Sequence, residues 1–193
     1  TIVAERIADM LVMVGIITIT LFLEFEFIYQ FFQEKFNPNT IVIGAIGLLI
    51  SGVVFLVFIR RSKLKIAIKI KEFVNGLIEG ILSIFKMKKK WAFIFHTLFI
   101  WAMYLLMFYF TSFAIKDLLG IPFAAILIGF IAASFTIAAT NGGIFVYPLA
   151  IGAAFSLFAI PETPSIAFGW IVWTSQTLLI LFIGSLSFLF LPI

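Results

Sequence analysis

Long apolar runs separated by short polar turns follow one another along the whole chain. A helix needs about 20 apolar residues to cross a bilayer, and two shorter runs of about 17 residues are at the lower limit of that length. The runs called long are 41–59, 91–114, 165–190 and the first run, 7–23, which has 17 residues before it meets an acidic and aromatic segment; the two shorter runs, 123–140 and 144–160, follow each other directly. The polar and apolar alternation of a transmembrane β-strand is absent from this sequence. The pattern therefore predicts an all-α, polytopic integral membrane bundle with about six hydrophobic segments.

The two shorter runs meet at Thr140-Asn141-Gly142-Gly143. Two topologies fit this break: a pair of full spans that turn at the cytoplasmic side, or two half-helices that form a re-entrant hairpin. In transporters, short segments interrupted by glycine or proline point to the substrate site, and glycine amides can approach a phosphate. We therefore predict that Asn141, Gly142 and Gly143 contact a lipid headgroup. A plain turn between two helices would explain the same residues.

Basic residues are concentrated between the second and third long runs. Residues 60–90 hold ten of the thirteen Lys and Arg side chains. By the positive-inside rule this loop and the N-terminus are cytoplasmic, in a multi-pass protein of the cytoplasmic (inner) membrane. Apolar residues recur at helical spacing within residues 61–90, which predicts an amphipathic helix on the membrane surface. Its expected partner is anionic lipid rather than nucleic acid. Three roles are open for the helix: an anchor that fixes the topology, a specific headgroup site, or an element that binds a partner protein.

The composition agrees with a membrane protein and offers little for metal or redox chemistry. Hydrophobic residues make up 64% of the 193 and charged residues 11%, which is far from the balance of a soluble domain. There is no cysteine and one histidine, so we expect neither a metal nor a cofactor. His96 is interpreted as a packing residue, with a proton relay as the alternative. Because the chain begins at Thr1, we interpret residues 1–193 as a single membrane domain from a longer protein.

A charge cluster stands where the first apolar run begins. Charges at the edge of the hydrocarbon cost free energy unless they are paired or face a polar cavity. Glu5, Arg6 and Asp9 are spaced so that one arginine could serve two carboxylates on neighbouring helix faces. We predict that the cluster contacts a lipid headgroup; a helix-start ion network that orients the first span is the alternative. Gln176, in the last run, is a further candidate for lipid contact.

Three motifs together resemble the flippase-like membrane domain of the lysylphosphatidylglycerol synthases. They are Glu5-Arg6-x-x-Asp9 at the start of a span, the basic loop followed by Trp91, and Asn141-Gly142-Gly143-Ile144. That family includes stand-alone bacterial and archaeal membrane proteins. The resemblance extends over essentially the whole chain, which corresponds to the C-terminal part of the family domain with the first spans missing.

The resemblance implies a role in moving or handling polar lipids. It carries the family's Glu-Arg and Asp positions onto the N-terminal cluster, and its glycine pair onto Gly142 and Gly143. The sequence departs from the family at two places. Asn141 stands where the family commonly has proline, and Tyr147-Pro148 stands where a glutamate follows the glycines. These departures bear on the identity of the substrate.

Three functions are compatible with these features. The first is a translocator of phospholipids or of a lipid-linked substrate. The second is an accessory subunit that docks a partner membrane protein or forms a homo-oligomer. The third is a membrane transferase, for which an acid and base pair or an activated nucleophile would be needed. The remaining acids are scattered over loops and interfaces, so the sequence favours the first function and no enzymatic activity.

Overall fold

The structure is a computed structural model that describes residues 2–35, 37–62, 64–140 and 142–191. Every regular element in these ranges is helical, which confirms the all-α prediction. A short 3-10 turn covers Lys116–Leu118. The α-helices are α1 Ile2–Leu23, α2 Phe25–Lys35, α3 Pro38–Arg61, α4 Lys65–Lys86, α5 Lys90–Ser112, α6 Phe123–Ala139, α7 Val146–Ser156 and α8 Glu162–Phe190.

Four of these helices are long and apolar enough to cross a bilayer. The stretches that meet both criteria are Ala4–Leu23, Val42–Arg61, Lys90–Ser112 and Glu162–Phe190. The two other apolar helices, α6 and α7, have 17 and 11 residues. At 1.5 Å per residue α7 is about 16 Å long, roughly half the thickness of the hydrocarbon core. The run predicted at 144–160 is therefore a much shorter helix than its hydropathy suggested.

The polar turn predicted before the second long run is shorter than expected. Helix α2 continues to Lys35, and α3 begins at Pro38 rather than after Thr40. Asn37 caps α3, because its side-chain oxygen accepts a hydrogen bond from the Asn39 N–H at 3.2 Å. Proline suits the first helical position, where its fixed φ is already helical and its missing N–H would have no partner.

The described helices fall into two compact units, Thr1–Leu98 and Phe99–Ile193. In the first unit the core lies between α1 and α4. Ala4, Ile7 and Ala8 of α1 are buried against Ile84 of α4. The approach is close at Gly80, where a Cβ would overlap the Cδ1 atom of Ile7. A surface helix that only rested on lipid would not need this glycine, so α4 is also a packing element.

The amphipathic helix predicted for residues 61–90 is α4, with the shorter bounds Lys65–Lys86. The apolar residues that recur at helical spacing, among them Ile66, Phe73, Leu77 and Ile81, divide into two groups. Leu77 and Ile81 pack against the α1 core, whereas Ile66 and Phe73 remain 73% and 65% exposed. The exposed part is the surface that this helix can offer to lipid.

A lysine of α4 forms hydrogen bonds with the C-terminal end of α3. The Lys71 Nζ donates hydrogen bonds to the carbonyl oxygens of Arg60 and Ser62, each at 3.2 Å. A cation is favourable at this helix end, because the last carbonyl groups carry a partial negative charge. The described side chains from Val42 to Phe58 are all exposed, as expected of a helix that faces lipid.

In the second unit α7 packs between α6 and α8, with phenylalanine rings at the centre. The rings of Phe108 and Phe168 meet edge to face, with centroids 4.8 Å apart, and Phe155 stacks on Phe168 at 5.6 Å. Gly129 makes room for this cluster, because a Cβ there would lie 2.6 Å from the Phe155 ring. Small residues such as Gly129 thus let these helices approach closely.

Candidate functional site

The N-terminal charge cluster contains an exposed ion pair. Arg6 Nη1 lies 4.0 Å from Asp9 Oδ2, and the two side chains are 83% and 44% exposed. Glu5 is exposed on the same turn of α1. Exposed pairs of this length contribute about 0.2–1 kcal/mol. A pair this exposed adds little to the stability of the first span.

The cluster lies away from the face of α1 that packs in the first unit. Ala4, Ile7 and Ala8 turn toward α4 and are buried, whereas Glu5 and Arg6 point outward. A zwitterionic headgroup could pair with both signs of charge here. Such pairing becomes stronger as the local dielectric constant falls below that of water.

The second candidate site is the break between α6 and α7, where two glycines adopt left-handed backbone conformations. Gly142 has φ 88° and Gly143 has φ 71°, values that glycine adopts without steric cost. The Gly142 N–H donates to the Thr140 carbonyl and the Gly143 N–H donates to the Thr140 hydroxyl, each at 2.9 Å. Both glycine amides are thus engaged within the turn. Asn141, predicted as part of this site, lies outside the described residues.

Helix α7 begins at Val146, two residues after the start of the predicted run, because Phe145 adopts a positive φ that cannot continue a helix. This residue has φ 63° and ψ −40°, and the Val146 N–H donates across it to the Ile144 carbonyl at 2.8 Å. A three-residue turn of this kind is rare and strained for a residue with a side chain, at a cost of about 1–3 kcal/mol. Strain of this size persists only where surrounding contacts hold it, and it is concentrated at functional sites.

The contacts that hold the break come from α8. The Trp173 Nε1–H donates to the Gly142 carbonyl at 2.8 Å. The Phe145 ring meets Trp170 edge to face at 5.4 Å, and Trp170 meets Trp173 in the same way at 5.8 Å. Gln176 lies about one turn beyond Trp173 on this helix and is half-buried. The aromatic pair thus fixes the break to the helix that carries the predicted glutamine.

The predicted residues therefore form two separate groups. Arg6 and Asp9 form the first, and Gly142 and Gly143 with α8 form the second. Sequence reasoning assigned no role to Phe145, Trp170 or Trp173. The only available signal was the pair of tryptophans three residues apart, close to Gln176 in the last apolar run.

The single histidine bonds to its own helix. The His96 Nδ1 lies 2.6 Å from the Ala92 carbonyl oxygen, which can only accept, so Nδ1 carries the proton. Its ring also meets Phe95 edge to face at 5.7 Å. The hydrogen bond agrees with the interpretation of His96 as a hydrogen-bonded packing residue, but the ring is exposed, so His96 is bonded within α5 rather than packed into a core. Across the described ranges, no three His, Asp or Glu side chains come together as metal ligands would.

The fold and the two candidate sites define an all-helical protein whose four long apolar helices are compatible with a membrane location. Comparison of the chain with family models, with curated proteins and with solved structures gives no match in any of the three. The resemblance to the flippase-like domain therefore stands on the sequence motifs alone.

Proposed function

We propose that this protein handles or translocates polar lipids in the cytoplasmic membrane, as the flippase-like domain that it resembles is expected to do. The observation that carries the proposal is the strained helix break at residues 142–145, inside an otherwise apolar helical pair and fixed by Trp173 of α8. Irregular backbone at membrane depth is tolerated where it is buried in protein or lines a wet cavity. A lipid headgroup crossing the membrane needs such a cavity.

The length of α7 supports the re-entrant form of this hairpin. Eleven residues of helix are too few to cross the hydrocarbon core, and α6 with 17 residues is at the lower limit. In the proposed topology α6 and α7 are two half-helices that meet at the glycine break within the membrane. The hairpin then exposes Gly142 to the headgroup. Because the Gly142 N–H already donates to Thr140, the group that it can offer is the second lone pair of its carbonyl oxygen, whose first accepts from Trp173.

The N-terminal cluster is the proposed point of entry for the headgroup. Arg6 would pair with the phosphate, while Glu5 and Asp9 would pair with a cationic group such as an amine. The 83% exposure of the Arg6 side chain supports this role, because a headgroup can reach the guanidinium from outside the helix pair. The acyl chains stay in the bilayer throughout, so the protein has to bind only the polar part.

Transbilayer movement of lipids in proteoliposomes tests the proposal. Headgroup-labelled anionic and zwitterionic lipids are followed with a membrane-impermeant quencher, beside the double variant Arg6→Ala, Asp9→Asn. We expect the unmodified protein to accelerate exchange and the double variant to lose that acceleration. The control removes the same two charges at an exposed position, as Lys116→Ala, Asp117→Asn, and should keep it. Equal rates in all three proteins would contradict the proposal.

An accessory role is the second candidate, and one feature of α3 favours it. A Cβ on Gly44, Gly47 or Gly52 would meet no atom within 4 Å, so another helix can approach this exposed surface closely. Photo-crosslinking from Leu48, which is 75% exposed, tests for a partner protein or a second copy in native membranes. A single stoichiometric partner, together with no lipid movement in the assay above, would favour this role.

A further inference from the structure

An apolar groove lies between α1, α4 and α5 in the first unit. It has a volume of about 160 Å³ and its accessible wall is apolar. Leu11 and Val12 line it from α1, Phe85 from α4, and Phe93, Thr97 and Leu98 from α5. An engineered apolar cavity of ~150 Å³ stays dry and accepts a benzene molecule. A groove of this size and composition therefore favours a short hydrocarbon segment over water.

Basic residues border the same groove where α4 passes into α5. Lys88 and Lys89 are exposed in the connection, between Phe85 and Phe93 of the groove wall. The connection is held in place because Met87 packs against the core that contains Ile84, and because the Lys89 carbonyl accepts the Phe93 N–H at 3.1 Å. The groove thus has a fixed positive border.

Few acidic groups are available to neutralise this border. The sequence contains no Asp or Glu between Glu79 and Asp117. On α1, which forms the other wall, Asp9 is paired with Arg6. The exposed Glu5 lies two turns before Val12 and sets one negative charge against the two positive charges of Lys88 and Lys89. An anion is therefore the complementary charge for Lys88 and Lys89.

We propose that this groove holds one acyl chain of an anionic phospholipid from the surrounding bilayer, with the phosphate at Lys88 and Lys89. The inference rests on the proposed membrane location, and it does not require that the protein moves lipids. The dimensions agree with such a ligand. From Lys90 to Leu98 the helix rises about 12 Å, so a phosphate at the start of α5 places the upper part of its acyl chain beside Thr97 and Leu98.

The apolar groove and the lysine pair contribute separately to lipid binding. A basic residue near an anionic membrane surface contributes about 1 kcal/mol, so replacing Lys88 and Lys89 by glutamine should weaken binding of an anionic lipid by up to about thirtyfold. Binding of a zwitterionic lipid should change little. High salt should reduce the difference between the two lipids, because these lysines are exposed to screening.

Photo-labelling of the full chain in nanodiscs tests the site directly. The probes are phosphatidylglycerol and phosphatidylcholine that carry a diazirine on the acyl chain, and adducts are located by mass spectrometry. We expect phosphatidylglycerol to label α1 and α5 along the groove. The variant Thr97→Phe places a ring in the groove and should reduce this labelling several-fold. The variant Lys88→Gln, Lys89→Gln should reduce it for phosphatidylglycerol alone.

Two control variants match these changes elsewhere in the same unit. Thr18→Phe replaces a threonine whose hydroxyl donates to the carbonyl four residues earlier, as that of Thr97 does, but it lies outside the groove. Lys65→Gln, Lys69→Gln removes two exposed charges from the other end of α4. Both controls should label as the unmodified protein does.

The outcome is decided without any transport measurement. Labelling spread evenly over the exposed faces of α3 and α8, or labelling that Thr97→Phe leaves intact, would overturn the groove site. Equal labelling of the groove by phosphatidylglycerol and phosphatidylcholine in the unmodified protein would overturn the assignment of an anionic ligand. Failure of the proposed translocation is scored separately, by the exchange rates of the Arg6→Ala, Asp9→Asn variant.

Discussion

Replacing Gly169 by alanine should loosen the packing of α8 against α7. A Cβ at this position would lie 2.5 Å from the Cα atom of Pro148, about 0.9 Å inside the 3.4 Å at which ordinary contact begins. Overpacking costs typically about 1–3 kcal/mol. The obstacle is backbone and cannot rotate away, so we expect a cost of about 3 kcal/mol. Better helix propensity returns about 1 kcal/mol, which leaves a net loss of about 2 kcal/mol.

Unfolding by sodium dodecyl sulfate in mixed micelles measures this loss, with tryptophan fluorescence as the signal. Trp170 and Trp173 follow Gly169 on α8 and report on the affected contact. The matched control is Gly184→Ala on the same helix, where a Cβ would meet no atom within 4 Å; its stability should stay equal or rise by about 1 kcal/mol. If Gly169→Ala were as stable as Gly184→Ala, the close approach of α7 and α8 would be refuted.

The same unfolding assay checks three further changes. Ala159 has φ 56° just after α7, where the Ile160 N–H donates to the Phe155 carbonyl at 3.3 Å. Because glycine adopts this φ more readily than alanine, Ala159→Gly should stabilise the folded protein by about 1 kcal/mol. A destabilised variant would contradict that conformation. Phe145→Gly should be more stable than Phe145→Ala by about 1–2 kcal/mol, because both remove the ring and only glycine accepts the positive φ. Trp173→Phe should cost about 1 kcal/mol through loss of its hydrogen bond to Gly142, whereas Trp170→Phe, which keeps that bond, should cost less; unfolding of these two variants is followed by far-UV circular dichroism, because each lacks one of the reporting indoles.

The helical architecture was largely predictable because hydropathy acts along the chain. An unbroken apolar run such as Val42–Phe58 needs no partner in order to be recognised, and the end of α1 at Leu23 agrees with the prediction. Helix α2 was missed for the opposite reason. Its mixture of aromatic and acidic residues is typical of an interface, and its helical backbone continues from α1 through hydrogen bonds such as that from the Ile28 N–H to the Glu24 carbonyl at 2.9 Å.

The details of the candidate sites depend on contacts that sequence patterns do not encode. The sequence located the glycine break, but the late start of α7 depends on a reversed backbone at Phe145, a residue type that rarely adopts it. Because α1 is apolar on nearly every face, hydropathy could not show which side packs on α4. The outward direction of Arg6 follows from the contact of its neighbour Ile7 with Gly80 of α4.

The position of α7 between α6 and α8 has a consequence for how the protein is made. Helix α7 is short, and its buried residues divide their contacts between the helix synthesised before it and the helix synthesised after it. Its backbone at Gly142 is completed by an indole that leaves the ribosome about thirty residues later. The break therefore cannot reach its final form until α8 has been synthesised. Truncation of the chain before Trp173 should remove the break as an ordered structure, while α1, α4 and their core are already complete.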